Sequence, residues 1–240
     1  MLHPVVAIGV GPGDPELLTL KGVRLLREAD VVIAPVGDRS SASIARGIVA
    51  PYLDESRQRI IEQVYPMKKN QEGLEDFWAE SAREVAALVK EGRKVAFLTL
   101  GDPLLYSTFL YLRIELAKIA PEIPVEYVSG VSSVHAAAAL AGIPLGLSDE
   151  RLAILPATYE EEKLRATLED FDCVVLMKVH RVFDKIKALL SELGLSDQAV
   201  YVKRIGLPEE EVFPQLDWVP AEALDYLSLI IVRRRGSHGI

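Results

Sequence analysis

The sequence predicts an α/β protein made of two α/β domains, and three observations support this. Short apolar runs that suit buried strands alternate with longer amphipathic segments that suit helices. The chain has 240 residues, half of them hydrophobic, which is enough for one large core or two smaller ones. Two prolines interrupt the pattern at residues 121–124, because proline lacks a backbone donor and restricts the residue before it. We therefore predict an N-terminal domain over residues 1–120 and a C-terminal domain over residues 125–240.

The N-terminal half follows a strand and helix alternation that is typical of a mostly parallel sheet. Thr19 is a suitable cap for a helix over residues 20–29, with Leu20, Val23 and Leu26 on its inner side. The other predicted elements are strands at residues 5–8, 31–34, 60–64 and 94–98, and helices at residues 43–52, 74–90 and 106–119.

The C-terminal half has strands that are more widely spaced and less clearly joined by crossover helices, which favours a mixed sheet. Gly194 is placed to cap the helix before it, and Cys173 is expected to be a small core residue. The tail at residues 236–240 has no packing signature and is expected to be disordered. The predicted elements are strands at residues 125–128, 152–155, 173–178, 199–203 and 227–232, and helices at residues 133–141, 160–168 and 182–193.

Composition narrows the classes of function. The net charge of −8 argues against a broad basic surface for nucleic acid. No apolar stretch approaches the roughly 20 residues that cross a bilayer, and the N-terminus lacks the features of a secretion signal, so we expect a cytoplasmic protein without a membrane partner. The four histidines show no pairing at metal-ligand spacing, so no protein-bound metal is predicted.

Three sharp turns follow predicted strands, at residues 9–15, 100–106 and 130–133. Loops at the carboxyl ends of strands are where an α/β fold places its ligand site, so these turns are expected to line one cleft. The glycines of the first turn do not match the dinucleotide fingerprint, because Pro12 and Pro15 intrude, and no phosphate-binding P-loop ending follows them.

The order of these turns makes the chain resemble the tetrapyrrole methylase family. The matching segments cover almost the whole chain and are found at residues 9–21, 96–108, 130–133, 143–145, 149–157 and 174–178, with Tyr65, Pro66 and Met67 as a further element. The resemblance is strongest to members that methylate carbon 20 of precorrin-2 or of its cobalt form, cobalt-factor II, in cobalamin synthesis. It implies S-adenosylmethionine as methyl donor, a modified tetrapyrrole as acceptor, an active site in the cleft between two domains, and a homodimer.

The same resemblance assigns residues to the donor, position by position. Asp102 would contribute a carboxylate near the sulfonium, and Met177 would lie against the adenine. The full set implied for the donor is Pro12, Leu100, Gly101, Asp102, Leu105, Ser132, Ser133, Met177, Ile205 and Gly206. The residues expected to meet the acceptor and its carboxylates are Tyr106, Lys68, Lys178 and Arg181, with Lys69 and Arg204 as further basic candidates. No residue is assigned to proton transfer.

One residue departs from the family pattern: His180 stands where a glycine is expected, and it is interpreted as a partly exposed turn residue. For the homodimer, Phe109, Leu110 and Leu112 are candidates for an apolar contact face, although they suit the core of their own domain equally well.

Two other functions stay open at this point. One is a different methylase of the same fold, acting on ribosomal RNA ribose or on diphthamide of a translation factor. The other is a noncatalytic sensor that binds S-adenosylmethionine and transfers no methyl group.

Overall fold

The computed structural model describes residues 2–37, 42–65 and 74–234. The chain divides into two compact units, Met1–Ser132 and Ser133–Ile240, each built around its own sheet. The described residues contain no helix long and apolar enough to span a membrane.

The first unit holds a sheet of five strands in the order β3-β2-β4-β1-β5, and every pairing is parallel. This confirms the predicted parallel sheet. The strands are β1 Val5–Gly9, β2 Val31–Val36, β3 Arg59–Val64, β4 Val95–Thr99 and β5 Val125–Val128, and the helices are α1 Leu20–Glu28, α2 Ile44–Val49, α3 Leu74–Lys90 and α4 Phe109–Ile119. Short 3-10 turns lie at Pro15–Leu17 and Ala50–Tyr52.

Helices cover both faces of this sheet. Successive side chains of one strand point to opposite faces, so each strand packs against both layers. Val5 and Ala7 of β1 pack in the cluster that includes α3 and α4, whereas Ile8 packs in the cluster that includes α1 and α2. The chain therefore leaves the adjacent strands β1 and β4 toward opposite faces. Such a switch point is where open α/β sheets bind ligands.

The second unit holds a mixed sheet in the order β6-β7-β10-β8-β9, which confirms the prediction. Strands β6 and β7 are parallel, and β10 is antiparallel to both β7 and β8. The elements are α5 Ser133–Ala141, β6 Leu152–Pro156, α6 Glu161–Asp170, β7 Cys173–Met177, α7 Phe183–Glu192, β8 Ala199–Lys203, β9 Glu211–Phe213 and β10 Ser228–Arg233, with 3-10 turns at Val179–Arg181, Ser196–Gln198, Leu216–Trp218 and Ala221–Ala223.

Helices cover both faces of this second sheet. Helices α6 and α7 pack on one face through a cluster that includes Leu164, Leu189 and Leu190, and α5 lies against β8 and β10. Gly194 follows α7 with φ +67°, the left-handed conformation that a helix cap needs. Cys173 is fully buried, and burial raises the pKa of its thiol to about 11, so it is the core residue that we expected.

The structure corrects the predicted domain boundary. Strand β5 pairs with β1 along Val5–Ile8, so residues 125–128 complete the first sheet and do not begin the second domain. The prolines at 121 and 124 lie between helix α4 and strand β5, and both of these elements belong to the first unit. The division therefore falls later, after Ser132. Prolines predict where a helix ends, but they do not predict which sheet the next strand joins.

Two smaller predictions are also wrong. Helix α4 begins at Phe109, not at residue 106, because Tyr106 has φ +51°. Leu20 is 91% exposed, and Gly22 and Leu26 form the inner side of α1. Phe109 and Leu112 are fully buried in the first core, which confirms the alternative that they belong to the core of their own domain. Strand β9 and the four 3-10 turns of the second unit were not predicted. The tail at residues 236–240 lies outside the described residues.

Candidate active site

The three predicted turns meet at the carboxyl edge of the first sheet, where β1, β4 and β5 end side by side. A Cβ on Gly9 would lie 2.6 Å from the Gly101 carbonyl oxygen and 2.6 Å from the Gly130 nitrogen. A Cβ on Gly130 would lie 2.2 Å from the same carbonyl oxygen. Gly11 and Gly101 form a backbone bridge in which the Gly101 amide donates to the Gly11 carbonyl at 2.8 Å. The turns are glycine-rich because their backbones touch.

Asp102 ties two of these turns together. Its Oδ2 accepts a hydrogen bond from the Gly130 amide at 3.1 Å, and its Oδ1 accepts one from the Leu104 amide at 2.9 Å. Each carboxylate oxygen retains a further lone pair, so the side chain still has acceptor capacity for a ligand. Asp102, which is predicted to face the donor, also holds the second turn against the third.

Gly101 has φ +70°, and a Cβ on it would meet only the Ser132 Cα, at 3.9 Å. It therefore differs from its two crowded neighbours: there is free space beside its Cα. Pro12 and Ser132 are buried, and Leu100 and Leu105 are half-buried. Leu100 and Leu105 belong to the same turn as Gly101 and add apolar side chains to it. An adenosyl group requires apolar surface with a few backbone groups, so the donor assignment of this turn stays a prediction.

Tyr106 is held in the left-handed region, which is unusual for a large side chain. The neighbouring residues fix this conformation. The Ser107 hydroxyl lies 2.8 Å from the Thr99 hydroxyl and accepts a hydrogen bond from the Phe109 amide at 3.1 Å, in the turn just before α4. Tyr106 is 46% exposed, and its contact with the acceptor stays a prediction.

The remaining candidates other than Ser133 and Lys68 lie at the carboxyl edge of the second sheet. At this edge β6, β7 and β8 end and β10 begins. Met177 and Val202 both pair with Leu229, so the ends of β7 and β8 flank the start of β10. Ile205 is buried beyond β8, and Gly206 donates its amide to the Glu210 carboxylate at 2.6 Å. Ser133 stands apart, at the first position of α5.

Side chains organise this second edge. Arg204 has φ +50°, and its Nη1 lies 3.3 Å from Asp225 Oδ2 while its Nε donates to the Pro208 carbonyl at 2.8 Å. Asp225 Oδ1 accepts from the Leu227 amide at 2.6 Å. The buried Tyr201 hydroxyl donates to the Ala223 carbonyl at 2.9 Å and accepts from the Asp225 amide at 3.2 Å.

His180 lies in the turn Val179–Arg181 that follows β7, half-buried as predicted. Its ring meets Tyr226 edge to face, with the ring centroids 5.4 Å apart. Burial, and then the nearby Arg181 cation, lower the pKa of His180, while Asp225 opposes this effect. Burial raises the pKa of the Tyr226 phenol. Tyr226 and Asp225 were not predicted as site residues, because only the pairing of β10 brings them beside β7 and β8.

The other four basic candidates for the acceptor fall into two pairs, one inside and one outside the described residues. Lys178, with φ +61°, and Arg181 lie at this second edge, and within residues 2–37, 42–65 and 74–234 neither forms an ion pair. Lys68 lies outside the described residues, as does Lys69. Among the described histidines, cysteines and carboxylates, no group is arranged to hold a metal ion.

Comparison with known proteins places these features in one family. A sequence model described as "Tetrapyrrole (Corrin/Porphyrin) Methylases" matches residues 4–217. The "Cobalt-precorrin-2 C(20)-methyltransferase" of Salmonella typhimurium is 36% identical over 231 residues, which cover 95% of each chain. The "Precorrin-2 C(20)-methyltransferase" of Sinorhizobium sp is 35% identical over 239 residues, covering 95% of this chain and 94% of the relative. "Cobalamin biosynthesis protein CobIJ" of Mycobacterium bovis is 37% identical, and the match spans only 46% of its length.

Solved structures share the fold. The X-ray structure of cobalt precorrin-4 methyltransferase, CbiF, has a TM-score of 0.76 at 23% identity and covers 96% of this chain and 94% of its own. Uroporphyrin-III C-methyl transferase from Thermus thermophilus, complexed with S-adenyl homocysteine, has a TM-score of 0.65 at 25% identity and covers 95% and 96%. Because the sequence model spans residues 4–217 and relatives of similar length share over a third of their residues, the chain belongs to the tetrapyrrole (corrin/porphyrin) methylase family.

Proposed function

We propose that this protein is an S-adenosylmethionine-dependent methyltransferase that methylates carbon 20 of precorrin-2 or of its cobalt form. The observation that carries the proposal is the near-complete alignment with two relatives named C(20)-methyltransferases, at 35% and 36% identity. The similarity to a structure titled as a complex with S-adenyl homocysteine supports the donor. The two relatives differ in their named substrate at nearly equal identity, so the metal content of the acceptor is left to the experiment.

The residues at the first carboxyl edge fit the donor. Gly101 leaves room for a ligand beside its backbone, and Pro12, Leu100 and Leu105 supply apolar surface for an adenosyl group. Asp102 supplies negative charge, which favours a sulfonium cation. The chemistry that the donor supplies is an electrophilic methyl group. The residues of the second unit that the resemblance assigns to the donor, Met177 among them, stay predictions.

The role of the protein in such a displacement is to orient the reactants. The attacking ring carbon must lie in line with the methyl group and its leaving sulfur, and orientation of this kind supplies about 7–11 kcal/mol of barrier lowering. No nucleophilic side chain is needed, since the carbon of the acceptor attacks directly. A rigid set of touching turns at Gly9, Gly101 and Gly130 suits this task, because a displacement of about 1 Å in the reacting geometry is costly.

Anaerobic incubation with S-adenosylmethionine and either precorrin-2 or cobalt-factor II, followed by mass spectrometry, tests the proposal. One added methyl group is the expected product, and an isotope-labelled donor followed by NMR locates it on the ring. The acceptor that turns over faster decides between the metal-free and the cobalt form. Donor binding without methyl transfer to either acceptor would overturn the proposal in favour of a sensor or of another methylase branch.

We further propose that the protein acts as a cytoplasmic homodimer. The exposed side of α4 supports the dimer, since Tyr111 and Ile114 are 57% and 53% exposed and lie three residues apart on one helix face. These residues replace the buried Phe109 and Leu112 as candidates for the contact. Analytical ultracentrifugation of the wild type and of Ile114→Lys tests this: a shift from dimer to monomer is expected, and an unchanged dimer contradicts this face.

A further inference from the structure

The two ring nitrogens of His180 differ, because only Nδ1 is buried without a hydrogen-bond partner among the described residues. An orphaned buried N–H is rarer in proteins than an under-satisfied acceptor, so we assign the proton to Nε2 and the lone pair to Nδ1. The proton is then on Nε2, and the buried Nδ1 carries only a lone pair. His180 therefore offers an Nε2–H group.

The surroundings keep this imidazole neutral. Protonation would place a second N–H group at the buried Nδ1, where no acceptor is available. The Arg181 cation also disfavours a positive ring, and both effects agree with the lowered pKa. Asp225 favours protonation, but its carboxylate already accepts from Arg204 and from the Leu227 amide. His180 is therefore a poor proton acceptor and a stable neutral donor.

Apart from Asp225, whose carboxylate accepts from Arg204 and the Leu227 amide, the groups around His180 can donate hydrogen bonds. Tyr226 stacks edge to face on the ring, and its raised phenol pKa keeps its O–H proton in place. Arg181 and Lys178 carry positive charge without an ion pair in the described ranges, whereas Arg204 is matched by Asp225 and Glu209. Imidazole N–H, phenol O–H, guanidinium and ammonium groups are all donors. Such a set is complementary to a carboxylate.

We propose that His180 is a specificity-determining residue that donates a hydrogen bond from Nε2 to a carboxylate of the tetrapyrrole acceptor, next to the Arg181 guanidinium. This inference rests on the proposed function, because a modified tetrapyrrole is the polycarboxylate in question. It gives a role to the residue that departs from the family pattern: a glycine at position 180 offers no such donor. The alternative, that His180 removes the proton from the methylated carbon, is disfavoured by its neighbours.

Two substitutions separate these roles. His180→Phe keeps an aromatic ring against Tyr226 and removes the Nε2–H donor together with the orphaned Nδ1. His180→Gln restores an N–H group at the position of Nε2. Methyl transfer is measured at varied acceptor concentration and saturating donor, donor binding is measured by calorimetry, and a thermal melt confirms that each variant is folded.

We expect His180→Phe to raise the KM for the acceptor about 10-fold, the loss expected for a hydrogen bond to a charged group. His180→Gln should recover most of this, while kcat, donor affinity and the melting temperature change little. An unchanged KM in a folded His180→Phe variant would overturn the inference, and so would a fall in kcat at constant KM, which indicates proton transfer. Failure of the wild type to methylate either tetrapyrrole would instead overturn the proposed function itself.

Discussion

The carboxyl edges of the two sheets are built in different ways. At the first edge, the backbone sets the geometry, because Gly9 and Gly130 touch the Gly101 carbonyl with no room for a Cβ atom. At the second edge, side chains set the geometry through the contacts of Tyr201, Arg204 and Asp225. If the proposed function holds, the first edge meets the donor with a backbone framework, and the second edge meets the acceptor with side chains. The comparison predicts which substitutions each edge tolerates.

Gly130→Ala should have the largest effect, since its Cβ would lie 2.2 Å from a backbone oxygen that no side-chain rotation can move. We expect a loss of about 1–3 kcal/mol of stability, as for other overpacked sites, together with loss of measurable donor binding. A thermal melt and a calorimetric titration with S-adenosylmethionine measure the two effects.

Gly47→Ala is the matched control for this substitution, because a Cβ at Gly47 in α2 meets nothing within 4 Å. It should gain roughly 0.5–1 kcal/mol, the usual advantage of alanine over glycine within a helix. If Gly130→Ala behaved like Gly47→Ala, the close approach of the three turns would be wrong.

Tyr201→Phe tests the second edge. The substitution removes one hydroxyl and leaves the Ala223 carbonyl and the Asp225 amide without this partner. The expected cost is about 1–3 kcal/mol in the free energy of unfolding, because buried polar groups then go unpaired. Urea denaturation monitored by circular dichroism gives the value. The control is Tyr159→Phe, at a side chain 49% exposed, which should change stability little. Equal losses of stability for the two substitutions would contradict the role of side chains at the second edge.

Asp102→Asn tests a side chain that holds two turns of the first edge together. Its two oxygens accept from the Gly130 and Leu104 amides, whereas an asparagine has only one acceptor oxygen and would turn an N–H group toward the other amide. We expect a donor Kd about 10-fold higher, or about 1.4 kcal/mol, in a folded protein. Asp149→Asn, on an exposed residue, is the control. An unchanged Kd would mean that the glycine contacts alone hold the turns.

The sequence predicts the first edge well because its signals are local. The glycine and proline turns follow apolar runs directly, so the sequence alone indicates that residues 9–15, 100–106 and 130–133 end strands. The boundary prediction failed at the same sheet because strand β5 joins β1 over more than a hundred residues of sequence separation. Local turn chemistry carries no information about such pairing.

The second edge depends on pairings of that kind throughout. Tyr226 meets His180, and Asp225 meets Arg204, only because β10 runs antiparallel between β7 and β8. No spacing in the sequence predicts this antiparallel pairing. Tyr226 was therefore not predicted as a site residue, and His180 was interpreted only as a turn residue. The left-handed conformations of Lys178 and Arg204 were missed too, since nothing in their residue types predicts a positive φ.

Lys178→Gly should have the smallest effect on stability and sharpens the comparison most. Lys178 has φ +61°, a conformation that costs a residue with a Cβ about 1–2 kcal/mol and glycine almost nothing. Glycine loses more chain entropy on folding, about 0.4–1 kcal/mol, so the net gain in stability should be about 0–1.6 kcal/mol, centred near 0.8 kcal/mol. Ser148→Gly, at φ +51° in an exposed loop, should give a similar small rise in melting temperature. Only Lys178→Gly should also raise the KM for the acceptor, because only there is a cation lost from the second edge. A rise in stability without a change in KM would mean that the strained backbone at Lys178 serves the fold of the turn and not the acceptor.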